Sequence, residues 1–185
     1  GASVYFQALD ERGLAIQNMR STTYLHPGEK LVCRGCHEPK HAAPPMQSAI
    51  PLALQRPPSR LKQEAPGSYP LTFPRLVQPV LDARCVSCHD KEPKAIRLHG
   101  DRLVEFGWSE AFRNLKPYAW GMSGIPRRSS VEERQYSVPG QEGARVSKLY
   151  RILTKGHYDV ELSPEELRRI ALWLDCNSNF YGAYH

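Results

Sequence analysis

The chain has 185 residues, room for one compact domain or a domain with an appendage, and its apolar share of 41% is near the globular norm. Its net charge of +6 comes from Arg and Lys scattered along the sequence, with no basic run interleaved with aromatics, which argues against a nucleic-acid surface. No stretch approaches the roughly 20 apolar residues that a membrane-spanning helix needs.

The chain opens Gly1-Ala2-Ser3 with no export signal, so it reads as a mature or excised piece whose signal lay upstream. Two apolar, strand-like runs follow, Val4 to Leu9 and Leu14 to Met19. The turn-forming Asp10-Glu11-Arg12-Gly13 between them predicts a β-hairpin appendage over residues 1–25. A lone hairpin is marginal in water, so it should pack on the rest of the chain or continue a larger β-structure upstream.

Residues 26–70 carry Cys33-Arg34-Gly35-Cys36-His37 and then a segment crowded with proline. Ten prolines lie from Pro39 to Pro79, which no long helix can tolerate. The expectation is an irregular wrap, with a mobile loop near Arg56 to Ser68. Residues 71–185 form the second expected unit. A short helix should run from Phe73 up to Cys85-Val86-Ser87-Cys88-His89, and another from Trp108 to Leu115. The stretch from Arg127 to Gly143 is polar, with a turn at Pro139-Gly140. Val146, Leu149, Tyr150 and Leu153 then lie on one helical face that Gly156 terminates. Ser163-Pro164-Glu165-Glu166 is a capping box with proline at the first helical position. The helix it starts should bury Leu167, Ile170, Ala171 and Leu174 before Asn177 and Ser178 stop it.

The two Cys-x-x-Cys-His segments carry the chemistry. Each sets two thiols three positions apart with an imidazole immediately after, the attachment pattern of c-type haem. Each thiol can join a vinyl group as a thioether, while the adjacent imidazole reaches the iron from the same side. On this reading Cys33, Cys36, Cys85 and Cys88 hold two covalently bound haem c groups, and His37 and His89 are proximal ligands. The porphyrins would supply apolar core, so the haem-free chain should fold poorly. Zinc is the alternative or additional metal, since two Cys-x-x-Cys pairs can close a tetrahedral site. Such pairs are usually about 15–20 residues apart; here 48 residues lie between Cys36 and Cys85. The fifth cysteine, Cys176, reads as a small apolar residue on the last helix rather than a redox thiol.

Distal ligands must come from elsewhere. His26, His41, His99, His157, His185, Met19, Met46 and Met122 are the candidates. His157 is the choice for the second haem, because a helix end and a capped helix fix its backbone from both sides. Two histidines would leave that iron six-coordinate and suited to electron transfer. His41, only four residues after His37, could compete for the first iron, bind another metal or lie exposed. If no side chain reaches the first iron, it stays open to a small molecule.

Two segments carry a family resemblance. Met19 to Pro39, with the first motif, resembles the first haem site of hydrazine synthase alpha-subunit-like proteins. Ser147 to Tyr184 is similar to the C-terminal part of the same proteins, through Lys155-Gly156-His157-Tyr158 and Leu172-Trp173-Leu174-Asp175-Cys176-Asn177-Ser178. The resemblance implies an upstream β-propeller in the parent chain and a second haem ligated by His89 and His157. In that family a tyrosine four positions after the first motif histidine binds iron and frees the histidine for zinc; His41 occupies that position here.

Taken together, the expected fold is mainly α, a cytochrome c-like haem domain with long irregular Pro-rich segments and a small N-terminal hairpin. The expected function is electron transfer in a periplasmic or otherwise extracytoplasmic setting, with a redox partner protein that some of the scattered cations could steer. The alternative is a haem-dependent oxidoreductase module with an open first iron. No Ser/His/Asp pattern, His-Glu-x-x-His or phosphate loop suggests protein-only catalysis.

Overall fold

A computed structural model describes residues 1–19, 22–31, 50, 52–120 and 138–182. The N-terminal segment folds as a bent ribbon of four short strands, β1 (Ala2–Val4), β2 (Gln7–Leu9), β3 (Ala15–Asn18) and β4 (Thr23–Leu25). The inner ladder pairs β2 with β3, Ala8 opposite Gln17, and the outer one pairs β1 with β4, Ser3 opposite Tyr24. Both ladders are antiparallel. Asp10 closes the turn between β2 and β3: its Oδ1 accepts the backbone N–H of Arg12 and of Leu14, at 2.9 and 2.8 Å. Gly13, at φ 76°, takes the left-handed step that a side chain would resist. The expected hairpin is therefore present, extended by an outer ladder.

Six short α-helices follow among the described residues: α1 (Phe73–Leu76), α2 (Gln78–Arg84), α3 (Val86–Lys91), α4 (Glu110–Leu115), α5 (Lys148–Lys155) and α6 (Pro164–Asp175). Local sequence explains their starts. Thr72, Ser109, Ser147 and Ser163 each sit in extended backbone and accept an N–H from the first turn of α1, α4, α5 and α6 respectively. At α6 the box is reciprocal, since Glu166 Oε2 accepts the N–H of Ser163 at 2.7 Å. Replacing Ser163 with alanine is expected to lose about 1 kcal/mol of stability in urea unfolding, with the secondary structure retained. Gly156 ends α5 at φ 103° and ψ 134°, a region open to glycine but not the compact left-handed cap. Asn177 and Ser178, at φ 64° and 50°, turn the chain out of α6.

The core gathers around Phe73 of α1, Phe112 of α4, Trp173 of α6 and Phe180, with ring centroids 5.0–5.3 Å apart at the closest contacts. From Ile170 to Asp175 every residue of α6 is buried. An amphipathic stripe would leave one face open; here the ribbon covers it. Gln7 donates from Nε2 to the Asp175 carbonyl at 2.8 Å, and Leu14 and Ala15 are fully buried. Asp175 itself, 2% exposed, accepts the N–H of Ala15 at 3.0 Å and of Ala144 at 2.7 Å. One carboxylate thus ties the ribbon, the turn before α5 and the last helix together.

The expectation of a mainly α, cytochrome c-like fold is overturned. The described α-helices are only 4 to 12 residues long, two small β ladders form the N-terminal part, and much of the rest is irregular. Prolines 57, 58, 66 and 70 remove N–H donors and fix φ where a helix would have to run. The far end of the expected mobile loop is anchored as well: Ala65 and Ser68 are buried, and Arg168 and Arg169 of α6 bond to Glu64 and to the Pro66 carbonyl.

Candidate functional site

The second Cys-x-x-Cys-His motif straddles the junction of α2 and α3. Cys85 is half-buried between the helices, and Cys88 and His89 ride on α3. His89 N donates to the Cys85 carbonyl at 3.0 Å, the first helical turn of the motif. Spacings of three and four then set both sulfurs and the imidazole on one face. Burial pushes the Cys85 thiol up to about 11, and the nearby Glu166 carboxylate and Cys88 act in the same direction.

His89 is held by its neighbours. Its Nδ1 lies 2.7 Å from the Ile96 carbonyl oxygen, a contact that places the proton on Nδ1 and leaves the Nε2 lone pair open. The loop supplying that carbonyl is itself pinned back: Arg97 donates to the His89 carbonyl, and Asp90 Oδ1 meets His99 Nε2 at 2.8 Å and Arg97 Nη1 at 3.7 Å.

His157 stands opposite, half-buried in the connector between α5 and α6. The His89 and His157 ring centroids are 6.1 Å apart, with planes inclined at 42°. A direct N–H···N bond would draw the centroids to about 5 Å. Two imidazoles on opposite sides of one metal ion, each with a nitrogen bond of about 2 Å, hold their centroids about 6 Å apart. The elements bearing the two histidines also present Val86, Ile96, Leu153 and Leu162, apolar side chains that touch the core yet stay partly open. Donor chemistry and ring spacing suit a pair of imidazoles that would hold the iron of a haem c. An open groove lined by Pro66, Arg75, Pro79, Val80 and Glu166 runs beside α2, but neither histidine lines it.

Other candidates fall elsewhere. His99 is committed to Asp90, and His26 is exposed with its ring edge-on to Tyr24. Cys33, Cys36, His37, His41, Met46, Met122 and His185 lie outside the described residues. Among the described residues, no group of three or more His, Cys, Asp or Glu side chains is arranged to hold a metal ion. Cys176 takes the Tyr5 hydroxyl on its sulfur at 3.2 Å, and burial raises its pKa. Sequence reasoning missed the Ile96 carbonyl and the Asp90–Arg97–His99 group. A backbone acceptor has no residue signature, and scattered polar residues within one loop carry no spacing rule.

The described site is thus a motif of two thiols and a histidine, with the ring of a second histidine 6.1 Å from the first. Among known proteins, a family model described as the hydrazine synthase alpha subunit middle domain matches residues 1–38, about a fifth of the chain. The match takes in the ribbon and the first Cys-x-x-Cys-His motif; the segment from Ser147 to Tyr184 lies outside it. No curated protein and no solved structure matches the chain. Among the described residues, no helix is long and apolar enough to cross a membrane.

Proposed function

We propose that this chain is a dihaem c-type cytochrome segment of a larger redox protein related to the hydrazine synthase alpha subunit, and that it transfers electrons. The observation that carries the reading is the 6.1 Å separation of the His89 and His157 rings beside the paired thiols of Cys85 and Cys88. Haem c, when bound, supplies a one-electron iron couple. In this reading Cys85 and Cys88 hold the second haem by thioether bonds and His89 is its proximal ligand. His157 closes its far side, excluding exogenous ligands. The Ile96 carbonyl and the Arg97 contact orient His89. By sequence, Cys33, Cys36 and His37 hold the first haem.

Cytochrome c is assembled outside the bacterial cytoplasm, so the setting is periplasmic or otherwise extracytoplasmic. The partners are a redox protein and an upstream β-propeller of the parent chain. The family match over the first motif favours a second reading, in which the first iron, with His41 close in sequence, stays open to a small nitrogen or oxygen compound and the second haem connects it to a donor. A zinc-holding domain is the remaining alternative.

Intact mass and a pyridine haemochrome assay on natively matured protein, with metal analysis alongside, test the reading. The expected result is a mass gain of two haems with iron and no stoichiometric zinc. A colourless protein holding zinc would overturn it.

A further inference from the structure

The residue after His157 combines three features that packing alone does not explain. Tyr158 adopts φ 51°, a left-handed backbone that a bulky L-residue rarely accepts. Its side chain is 88% exposed, so burial does not offset that strain. Yet its ring stands edge-on to the His157 imidazole, with centroids 5.0 Å apart and planes at 74°. Gly156, at φ 103°, precedes the histidine, so His157 sits between two positive-φ residues in a connector with no helix of its own. His89 has a backbone acceptor to fix its ring. Among the described residues, the His157 ring meets the aromatic rings of His89 and Tyr158.

We infer that Tyr158 is the positioning residue for His157: its ring sets the plane of the imidazole that would ligate the second haem. This inference rests on the bis-histidine reading proposed above. The left-handed backbone sets the tyrosine ring beside its neighbour's imidazole while most of the residue stays open to solvent. An aromatic edge against the imidazole face limits rotation about the His157 side chain without competing for its nitrogens. The ring, not the hydroxyl, is the working part, because the observed contact is between rings.

The test uses the matured holoprotein with Tyr158→Phe, Tyr158→Ala and Tyr158→Gly beside His157→Ala. The readouts are the low-spin ferric EPR signal, which reports the relative orientation of the two imidazole planes, and the rate of cyanide binding. Tyr158→Phe should match the parent protein. Tyr158→Ala and Tyr158→Gly should both shift the low-spin signal and speed cyanide binding by about tenfold, the scale on which loss of an outer-sphere contact loosens a metal ligand. The glycine variant removes the ring while relaxing the backbone, so it folds even where alanine strains. Three results would overturn the inference: parent-like spectra in both truncations, a parent-like glycine variant beside a shifted alanine variant, or a phenylalanine variant as perturbed as alanine. If His157→Ala leaves both haems low-spin, the ligand assignment fails instead, which separates the two failures.

Discussion

Replacing His157 with alanine is expected to convert one of the two haems, half of the haem absorbance, from low to high spin. His89 stays in place, because its Nδ1 contact with the Ile96 carbonyl and the Arg97 contact with its own carbonyl do not involve His157. The far side of the iron then lies open, so ferric protein should bind cyanide and ferrous protein nitric oxide, each to half of the haem. Loss of a nitrogen donor also removes preferential stabilisation of the ferric state, so the midpoint potential of that haem should rise. His99→Ala is the matched control: that ring is engaged with Asp90, and its loss should leave the spin state unchanged. Identical absorption and EPR spectra before and after the His157 substitution would remove it from the iron.

What the sequence made legible follows the range over which each signal acts. The capping box at Ser163, the proline at Pro164 and the glycine at Gly156 work within one turn, and both C-terminal helices lie where these residues set them. The inner ladder was readable because Asp10 and Gly13 build their own turn. The outer ladder was not, since its pairing joins residues such as Ala2 and Leu25 with no turn signal between them. The mainly α reading failed for a related reason. Haem motifs and two good helices suggested a familiar fold, while the docking of the ribbon on α6 depends on long-range hydrogen bonds that leave no periodicity.

The site shows the same division. Two thiols and a histidine at fixed spacing are local, and the fixed backbone at both ends of the 156–163 connector pointed to His157. That the His89 and His157 rings meet, tilted, across some seventy residues of sequence is a tertiary fact. The motif is written in one short segment; the neighbour of its histidine is set by how the α5–α6 connector packs.

The largest stability effect is expected at Asp175. Alanine there would strand the buried N–H groups of Ala15 and Ala144, and each unsatisfied donor costs about 1–3 kcal/mol, so a loss of about 3 kcal/mol is expected in urea unfolding. Asparagine keeps one acceptor but turns an amide N–H₂ toward the other donor, so its loss should be smaller, about 1–2 kcal/mol. Substituting Gly143 should injure the same junction, since φ 67° disfavours any side chain and a Cβ would collide with the Asp175 carboxylate. Burial holds the Asp175 carboxyl above the ordinary value, with the two N–H bonds acting in the opposite direction. The folded state therefore keeps this proton to higher pH than the unfolded chain does. The corresponding stability is full below the unfolded value of about 3.9 and declines as pH rises through the folded one. Asparagine has no such titration, so the gap between parent and Asp175→Asn should narrow as pH rises across that window. Urea melts of both proteins at several pH values read this directly, and a gap that widened with pH would mean that the ionised carboxylate is the form the fold prefers.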